Sequence, residues 1–191
     1  TDEQIERVHL RTGMQRMDST QLQSNIRKMS RLQLLVEIVH RLHRMLSDED
    51  TSRYETLFGS YVEEDSQHYC YRVARDEVEG RLQQIGNALA EMLETLESEY
   101  GEEQAYRNAE RVFGEHFHCE AEVISIKPAG ELSGSILQSP DDPEATYRKK
   151  GGEAARGYVA NITETCDPEN ELQLVTVVSV ETNVTDDQKL L

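Results

Sequence analysis

Apolar residues recur every three or four positions through the middle of this 191-residue chain, and the pattern becomes strand-like after residue 117. Near the start, residues 14–22 lie between the breaks at Gly13 and at Ser24-Asn25, and we interpret them as a β-strand. One face of this strand would carry Met14, Arg16, Asp18, Thr20 and Leu22. From about residue 26 to 47, leucines and valines recur every three or four positions, which predicts an amphipathic helix.

The helical spacing continues through the middle of the sequence. Residues 54–73 form a less regular block, residues 78–100 carry a clear apolar stripe, and residues 106–113 carry a shorter one. Each stripe has to be buried against another apolar surface. Together with the first helix, these segments predict a bundle of about four helices.

Strand patterns return after residue 117. Residues 123–126 predict a short strand, and the proline- and glycine-containing segment 128–156 predicts a loop or a ragged hairpin. Residues 157–164 and 172–181 predict two further strands, separated by a turn at 167–170. Because residues 172–181 are apolar on both faces, we expect a central strand that is covered on both sides.

These elements predict an α+β fold in which a large helical insertion, at about 26–117, interrupts a sheet. The sheet would contain the strands near 14–22, 157–164 and 172–181. By this interpretation the chain divides into a first strand, a helical insertion, and the remaining strands with the start of a truncated helix. The corresponding ranges are 1–25, 26–118 and 119–191.

Both ends of the sequence have the pattern of interrupted helices. Residues 2–8 have a helical pattern without a start signal, and residues 185–188 form a capping box that only three residues follow. One turn of helix is not stable on its own. We therefore expect an excerpt of a longer protein, cut at both ends.

Composition limits the class of partner. The net charge is −17, which argues against nucleic acid as a partner of the whole surface, because phosphate-binding surfaces are basic. The acidity is concentrated at 48–122, with six basic and twenty acidic side chains, whereas residues 1–47 hold eight basic and five acidic ones. A mean hydropathy of −0.68, and the lack of a long apolar run or signal peptide, predict a cytoplasmic protein without a membrane partner.

Cysteine and histidine offer no strong metal signal. The three cysteines lie far apart without CxxC spacing, which disfavours a zinc site or a disulfide framework. His116, His118 and Glu120 alternate along one short segment, but closed metal sites generally take ligands from more than one segment. We interpret residues 116–120 as a junction between a helix and a strand.

Two stretches carry a resemblance to a known family. Residues 14–46, MQRMDSTQLQSNIRKMSRLQLLVEIVHRLHRML, and residues 137–176, LQSPDDPEATYRKKGGEAARGYVANITETCDPENELQLVT, closely resemble the DDE transposases of bacterial insertion sequences. The resemblance implies a bacterial protein with an RNase H-like catalytic domain, whose mixed sheet holds a helical insertion. It also implies DNA cleavage and strand transfer at two Mg²⁺ or Mn²⁺ ions held by an Asp-Asp-Glu triad.

Asp18 matches the first acid of that triad, and so is the candidate catalytic and metal-binding residue. The resemblance places the second and third acids beyond Leu191. A two-metal site holds its ions about 4 Å apart and needs several oxygen ligands, so we expect this chain to be inert by itself. We expect Asp18 in mid-strand, beside the strands at 157–164 and 172–181, facing a cleft. Without the resemblance, a solvated surface acid is the simpler interpretation.

The candidate DNA contacts are basic residues near glycines or near the Asp18 strand. They are Arg27, Lys28, Arg148, Lys149 and Lys150. Each can bind phosphates or lie on a solvated surface, and Arg31 allows the same two interpretations. Homo-oligomerisation is left open. The alternative functions are a non-enzymatic acidic helical module for protein interaction and a degenerate transposase remnant.

Overall fold

A computed structural model describes residues 9–183 of the chain except residues 122 and 151. The chain divides into two compact units. Of the described residues, 9–25 and 144–183 belong to a sheet unit, and those in the range 26–143 belong to a helical unit. The predicted α+β class is confirmed. In the described ranges no helix has the length and apolar character needed to cross a bilayer.

The helical unit contains six α-helices and a short two-stranded sheet in its described residues. The helices are α1 (Arg31–Met45), α2 (Asp48–Arg53), α3 (Glu55–Phe58), α4 (Ser66–Tyr71), α5 (Val78–Tyr100) and α6 (Gln104–His116). Short 3₁₀ turns occupy Gly59–Tyr61 and Ala129–Glu131. The strands β2 (Phe117–Glu120) and β3 (Val123–Ile126) pair antiparallel directly after α6. The predicted junction at 116–120 is therefore confirmed.

The core of this unit comes from the two longest stripes in the sequence. On α1 the side chains of Leu35, Val39 and Leu42 are fully buried, and on α5 those of Leu89 and Leu96 are fully buried. All five belong to one continuous apolar cluster. Helix α1 begins later than the predicted residue 26, because the Ser30 hydroxyl accepts the Gln33 N–H and caps the helix there.

The helical unit extends to residue 143, beyond the boundary predicted at 118. Strand β3 stays with the helices, and the Gln83 side chain on α5 donates to the Ile124 carbonyl at 2.8 Å. The following loop is tied to α6 by Arg111, which donates to the Pro143 carbonyl at 2.7 Å. Glu115 on the same helix accepts the Leu137 N–H at 2.8 Å. Such contacts between separated segments are not visible in local apolar spacing.

Arg31 lies half-buried in the first turn of α1 and joins three elements of this unit. Its Nε donates to His116 Nδ1 at 3.0 Å and its Nη2 donates to the His116 carbonyl at 2.6 Å. Its Nη1 donates to the Lys127 carbonyl at 2.7 Å, just beyond β3. The guanidinium is therefore occupied inside the fold, which favours the structural interpretation of Arg31 over phosphate contact.

The His116 ring is buried, with 1% of its surface exposed. Burial, and then the charges of Arg31 and Lys127, lower the pKa of His116 from 6.5 to about 4. The ring is neutral at pH 7, with Nδ1 accepting from Arg31.

The buried imidazole predicts a loss of stability in mild acid. Between pH 6.5 and about 4 the unfolded chain binds a proton at His116 that the folded chain does not. The free energy of unfolding should fall by about 3 kcal/mol across this window as the pH is lowered. Urea denaturation at several pH values checks this. The variant His116→Asn should lose that part of the slope, whereas His68→Gln, at an exposed histidine, should keep it. Equal slopes in all three proteins would contradict the assignment.

The sheet unit contains four strands in its described residues. They are β1 (Gln15–Gln23), β4 (Thr146–Lys150), β5 (Glu153–Thr165) and β6 (Val175–Thr182). Strand β5 is central, because its residues 158–164 pair with β1 and also with β6. Every pairing between described strands is antiparallel, so the parallel pairing expected of a mixed sheet is not found among them.

Of the two alternatives predicted for segment 128–156, the hairpin is present, since β4 and the first residues of β5 pair within it. The prediction for the last strand was wrong. Strand β6 is not central and covered. It begins at Val175 and pairs only with β5 among the described strands, and Val178 is 62% exposed. Apolar character on both faces indicates a surface that favours burial, but it does not specify what buries it.

Candidate catalytic strand and nucleic-acid interface

Asp18 lies in the middle of β1 with its side chain exposed. Its carboxylate accepts the N–H of Ser19 at 2.9 Å, and its backbone lies opposite Ile162 of β5. The predicted mid-strand, outward position therefore agrees with the structure. Asp18 is beside only one of the two expected strands, because β5 separates β1 from β6.

The opposite face of β1 fixes the strand in place. Ser19 Oγ lies 2.7 Å from Asn161 Oδ1 and donates to it, and Asn161 is only 3% exposed. A groove of about 420 Å³ on the sheet is lined by Met17, Asn161 and Val177, among others. These residues alternate with Asp18 and Ile162 along their strands, so the groove lies on the face away from the Asp18 carboxylate and is not the cleft predicted at Asp18.

Glu164 is a second carboxylate near Asp18, which the sequence pattern did not single out. Arg16 lies opposite Glu164 in the register, and Asp18 lies two positions along the same face. Diagonal neighbours of this kind have Cα atoms about 7–8 Å apart. Arg16 Nε donates to Glu164 Oε1 at 2.5 Å, so the negative charge of Glu164 is already paired with a positive charge. Only strand register brings these two acids together, and register is not evident from a single sequence.

The donor set around Asp18 suits one hydrated cation. Mg²⁺ and Mn²⁺ prefer oxygen ligands, and Mg²⁺ keeps several waters when few carboxylates are present. Asp18 offers one exposed carboxylate, and Glu164 offers another only if Arg16 moves aside. Within residues 9–183, without 122 and 151, no group of three or more His, Cys, Asp or Glu side chains forms a metal site. The described residues therefore do not hold a two-metal centre.

The hairpin of β4 and β5 brings basic and aromatic side chains together. Tyr147 lies opposite Arg156, whose guanidinium carbon is 5.7 Å from the ring centroid. Alternation places Lys149 on the same face as this pair and Arg148 on the other. Arg148 is half-buried and donates to the Asn183 carbonyl at 3.4 Å. Lys150 ends β4, and its side chain lies outside the described part of the structure.

Tyr147 and Arg156 were not singled out from the sequence, because the prediction of a loop or a ragged hairpin at 128–156 gave no register that would pair them. The alternation of the hairpin was the signal for them. By the same alternation, Tyr147, Arg156 and Asp18 share one face of the sheet. The β5 residues opposite Asp18 and Tyr147 are Ile162 and Arg156. They are six positions apart, which corresponds to about 20 Å along the strand.

The other two candidate DNA contacts lie in the helical unit. Arg27 and Lys28 precede α1 and are both exposed. Arg27 Nη2 donates to the side chain of Gln67 on α4. Each of the two is accessible to a phosphate, although neither is part of the hairpin cluster.

Comparisons with known proteins do not extend this picture. No protein-family model, no curated protein and no solved structure matches the chain.

Proposed function

We propose that this chain forms part of the catalytic domain of a DNA transposase, which cleaves and transfers DNA strands with Mg²⁺ or Mn²⁺. The observation that carries the proposal is Asp18, an exposed carboxylate in the middle of a strand whose other face is fixed against β5. Chemistry at two metal ions needs more ligands than Asp18 and Glu164 supply. In the proposed enzyme, acids other than those of the described sheet complete the site.

In this proposal the role of Asp18 is to hold a cation at a fixed position. When bound, the divalent ion would supply Lewis acidity at a phosphodiester and lower the pKa of a bound water or hydroxyl. The chain contributes rigidity. The backbone of β1 is paired with β5 along all nine residues, and Ser19 is bonded to buried Asn161 behind the carboxylate. Ser19 is thus a positioning residue, since its hydroxyl is already engaged.

The hairpin supports the choice of DNA as substrate. Arg156, Lys149 and Tyr147 offer two cationic groups and an aromatic ring on the same face as Asp18. Basic side chains position a phosphate backbone, and Lys149 is exposed at this hairpin. In a chain with a net charge of −17, such a local basic surface restricts where a nucleic acid can approach.

Paramagnetic broadening by Mn²⁺ in nuclear magnetic resonance spectra tests the metal role of Asp18. We expect low Mn²⁺ concentrations to broaden the amide signals of Ser19 and Ile162, because both lie next to the Asp18 carboxylate. The variant Asp18→Asn should lose this broadening. The matched variant Asp48→Asn, at an exposed acid of the helical unit, should retain it. Equal broadening in the wild type and in Asp18→Asn would refute the proposed metal site.

The same samples test the DNA contact. A short duplex should shift the amide signals of Tyr147, Lys149 and Arg156, with an affinity that falls steeply as salt is added. Lys149→Ala should weaken the binding, whereas Arg107→Ala, an exposed cation of α6 paired with Glu102, should not. Shifts confined to the helical unit would contradict the assignment of the hairpin.

A second candidate function is a non-enzymatic module for protein interaction. The observation that favours it is the helical unit, which has its own buried core. Residues 26–143 carry twelve basic and twenty-four acidic side chains. A protein that binds neither Mn²⁺ at Asp18 nor DNA at the hairpin would fit this function, or that of a transposase remnant, better than an active enzyme.

A further inference from the structure

Strand β6 is an edge strand of a highly charged protein, and Glu181, its second-last residue, is its one charged side chain. No charged residue occurs from Leu172 to Val180, although 30% of the chain is Asp, Glu, Lys or Arg. Val177, Val178 and Val180 are 54%, 62% and 56% exposed. Natural sheets normally protect an edge with charged side chains, proline or a cover. This edge has no charge or proline between Val175 and Val180.

Strand β1 forms the opposite edge of the sheet and differs from β6 in its charged residues. It carries the charged side chains of Arg16 and Asp18 and is otherwise mostly polar. Charges on an edge strand oppose pairing with another molecule, since like charges would meet. The charges of β1 lie within the strand, whereas the one charge of β6, Glu181, lies near its end and leaves residues 175–180 uncharged.

Backbone hydrogen bonds show which way the strands direct their polar groups. The N–H of Thr165 donates to the Leu174 carbonyl at 2.9 Å, on the β6 side. The N–H of Cys166 donates to the Met14 carbonyl at 3.0 Å, on the β1 side. Since successive residues point to opposite edges, the odd-numbered residues of β5 bond to β6.

The register then identifies the outer groups of β6. Asn161 lies opposite Ser179, so Ser179 directs its backbone groups toward β5. Its neighbours Val178 and Val180 direct theirs to the outer edge, where no described strand pairs with them. The irregularity in the β5–β6 pairing lies at Thr163/Glu164, whose partners are Val177 and Val175, so the pairing is regular from Val177 to Thr182.

We propose that β6 is an interface with a second copy of this chain, paired antiparallel about a twofold axis at Val178. In this register Val178 faces the partner's Val178, and their N–H and C=O groups bond reciprocally. Antiparallel pairing of identical strands is self-complementary, as a twofold dimer requires. Valine is among the residues that fit paired strands best.

The charge pattern of β6 fits a second copy of the same strand. Two proteins of net charge −17 repel each other, so self-association requires a register in which no like charges meet. The segment from Leu172 to Val180 is uncharged, and pairing about Val178 sets Glu181 opposite the partner's Val175. A single pair of strands buries less than the usual 800 Å² or so per partner, so the dimer should be weak and should form only at high concentration.

Sedimentation velocity without DNA or metal tests the dimer independently of the proposed function. We expect monomers at low concentration and dimers at about 100 µM. Val178→Lys should raise the dissociation constant at least about tenfold, because two ammonium groups would face each other at the axis. Val178→Thr keeps a β-branched side chain and should still dimerise. Val123→Lys, at an exposed valine of β3, is the matched control. A monomer at every concentration, or a dimer insensitive to Val178→Lys, would overturn the proposal.

Cysteine cross-linking tests the register and does not depend on the lysine variant folding. Exposed Cys119 is first replaced by serine to remove the background reaction. In that protein, Val178→Cys should form a disulfide dimer under mild oxidation, because residues directly opposite have Cβ atoms about 5 Å apart. Val180→Cys should cross-link at least tenfold more slowly, since it faces the partner's Thr176. Equal rates would refute the twofold axis at Val178.

Discussion

Replacing Gly157 with alanine is expected to lower the free energy of unfolding of the sheet unit by about 3 kcal/mol. Gly157 has a φ of +145°, which side chains rarely allow. A Cβ built there would lie 2.3 Å from the Leu22 carbonyl oxygen and 2.6 Å from the Ser24 nitrogen. Both are backbone atoms of the segment that ends β1, and Ser24 is itself bonded to the Arg156 carbonyl at 2.9 Å. Because the clashing atoms belong to the backbone, a change of side-chain rotamer cannot relieve the contact.

The matched control is Gly114→Ala in α6. A Cβ at Gly114 meets no atom within 4 Å, so alanine should stabilise the helix by up to about 1 kcal/mol. Urea denaturation followed by circular dichroism measures both variants. Hydrogen exchange of the β5 amides shows whether the loss is confined to the sheet. If Gly157→Ala were as stable as the wild type, the close approach of β1 to β5 at this point would be wrong.

Replacing Arg31 with alanine is the second change with a large expected effect, a loss of about 3 kcal/mol from the helical unit. The variant removes three hydrogen bonds from a charged donor, two of them to the carbonyls of His116 and Lys127. The His116 ring would lose its only described partner at Nδ1. Carbonyls and a ring nitrogen would then have to be hydrated or left unpaired in a largely buried position.

Two further variants separate geometry from charge. Arg31→Lys keeps the positive charge but lacks the planar fork that reaches three acceptors, so it should recover less than half of the lost stability. Arg44→Ala removes an exposed arginine of the same helix and should cost less than about 1 kcal/mol. Urea denaturation of the three variants measures the difference. A cost for Arg44→Ala equal to that of Arg31→Ala would show that Arg31 acts only through general charge.

Local patterns in the sequence predicted the core helices and the strand that carries Asp18. The stripes of Leu35, Val39 and Leu42, and of Leu89 and Leu96, are helical and buried as expected, because apolar spacing directly reflects one covered face. The strand predicted at 14–22 corresponds to β1, which runs from Gln15 to Gln23.

The contacts that the sequence did not predict join segments that are distant along the chain. The contacts of Arg31 with His116, of Arg16 with Glu164, and of Arg156 with Tyr147 all join positions set by packing or by register. The exposure of β6 was missed for a related reason. The valines of β6 have the pattern of a buried strand, and no local signal shows whether a covering element is present.

The pairing of β1 with β5 has a consequence for the order in which the protein forms. Asp18 meets Ile162 only after the entire helical unit has been synthesised between them. Because closing so long a loop is entropically costly, the sheet should form late, after the helices have shortened the distance between its strands. During synthesis β1 leaves the ribosome before the helical unit and β5, so both of its edges stay unpaired until β5 follows. The charge and polarity of β1 would then protect the nascent chain from aggregation, in addition to any role at a metal.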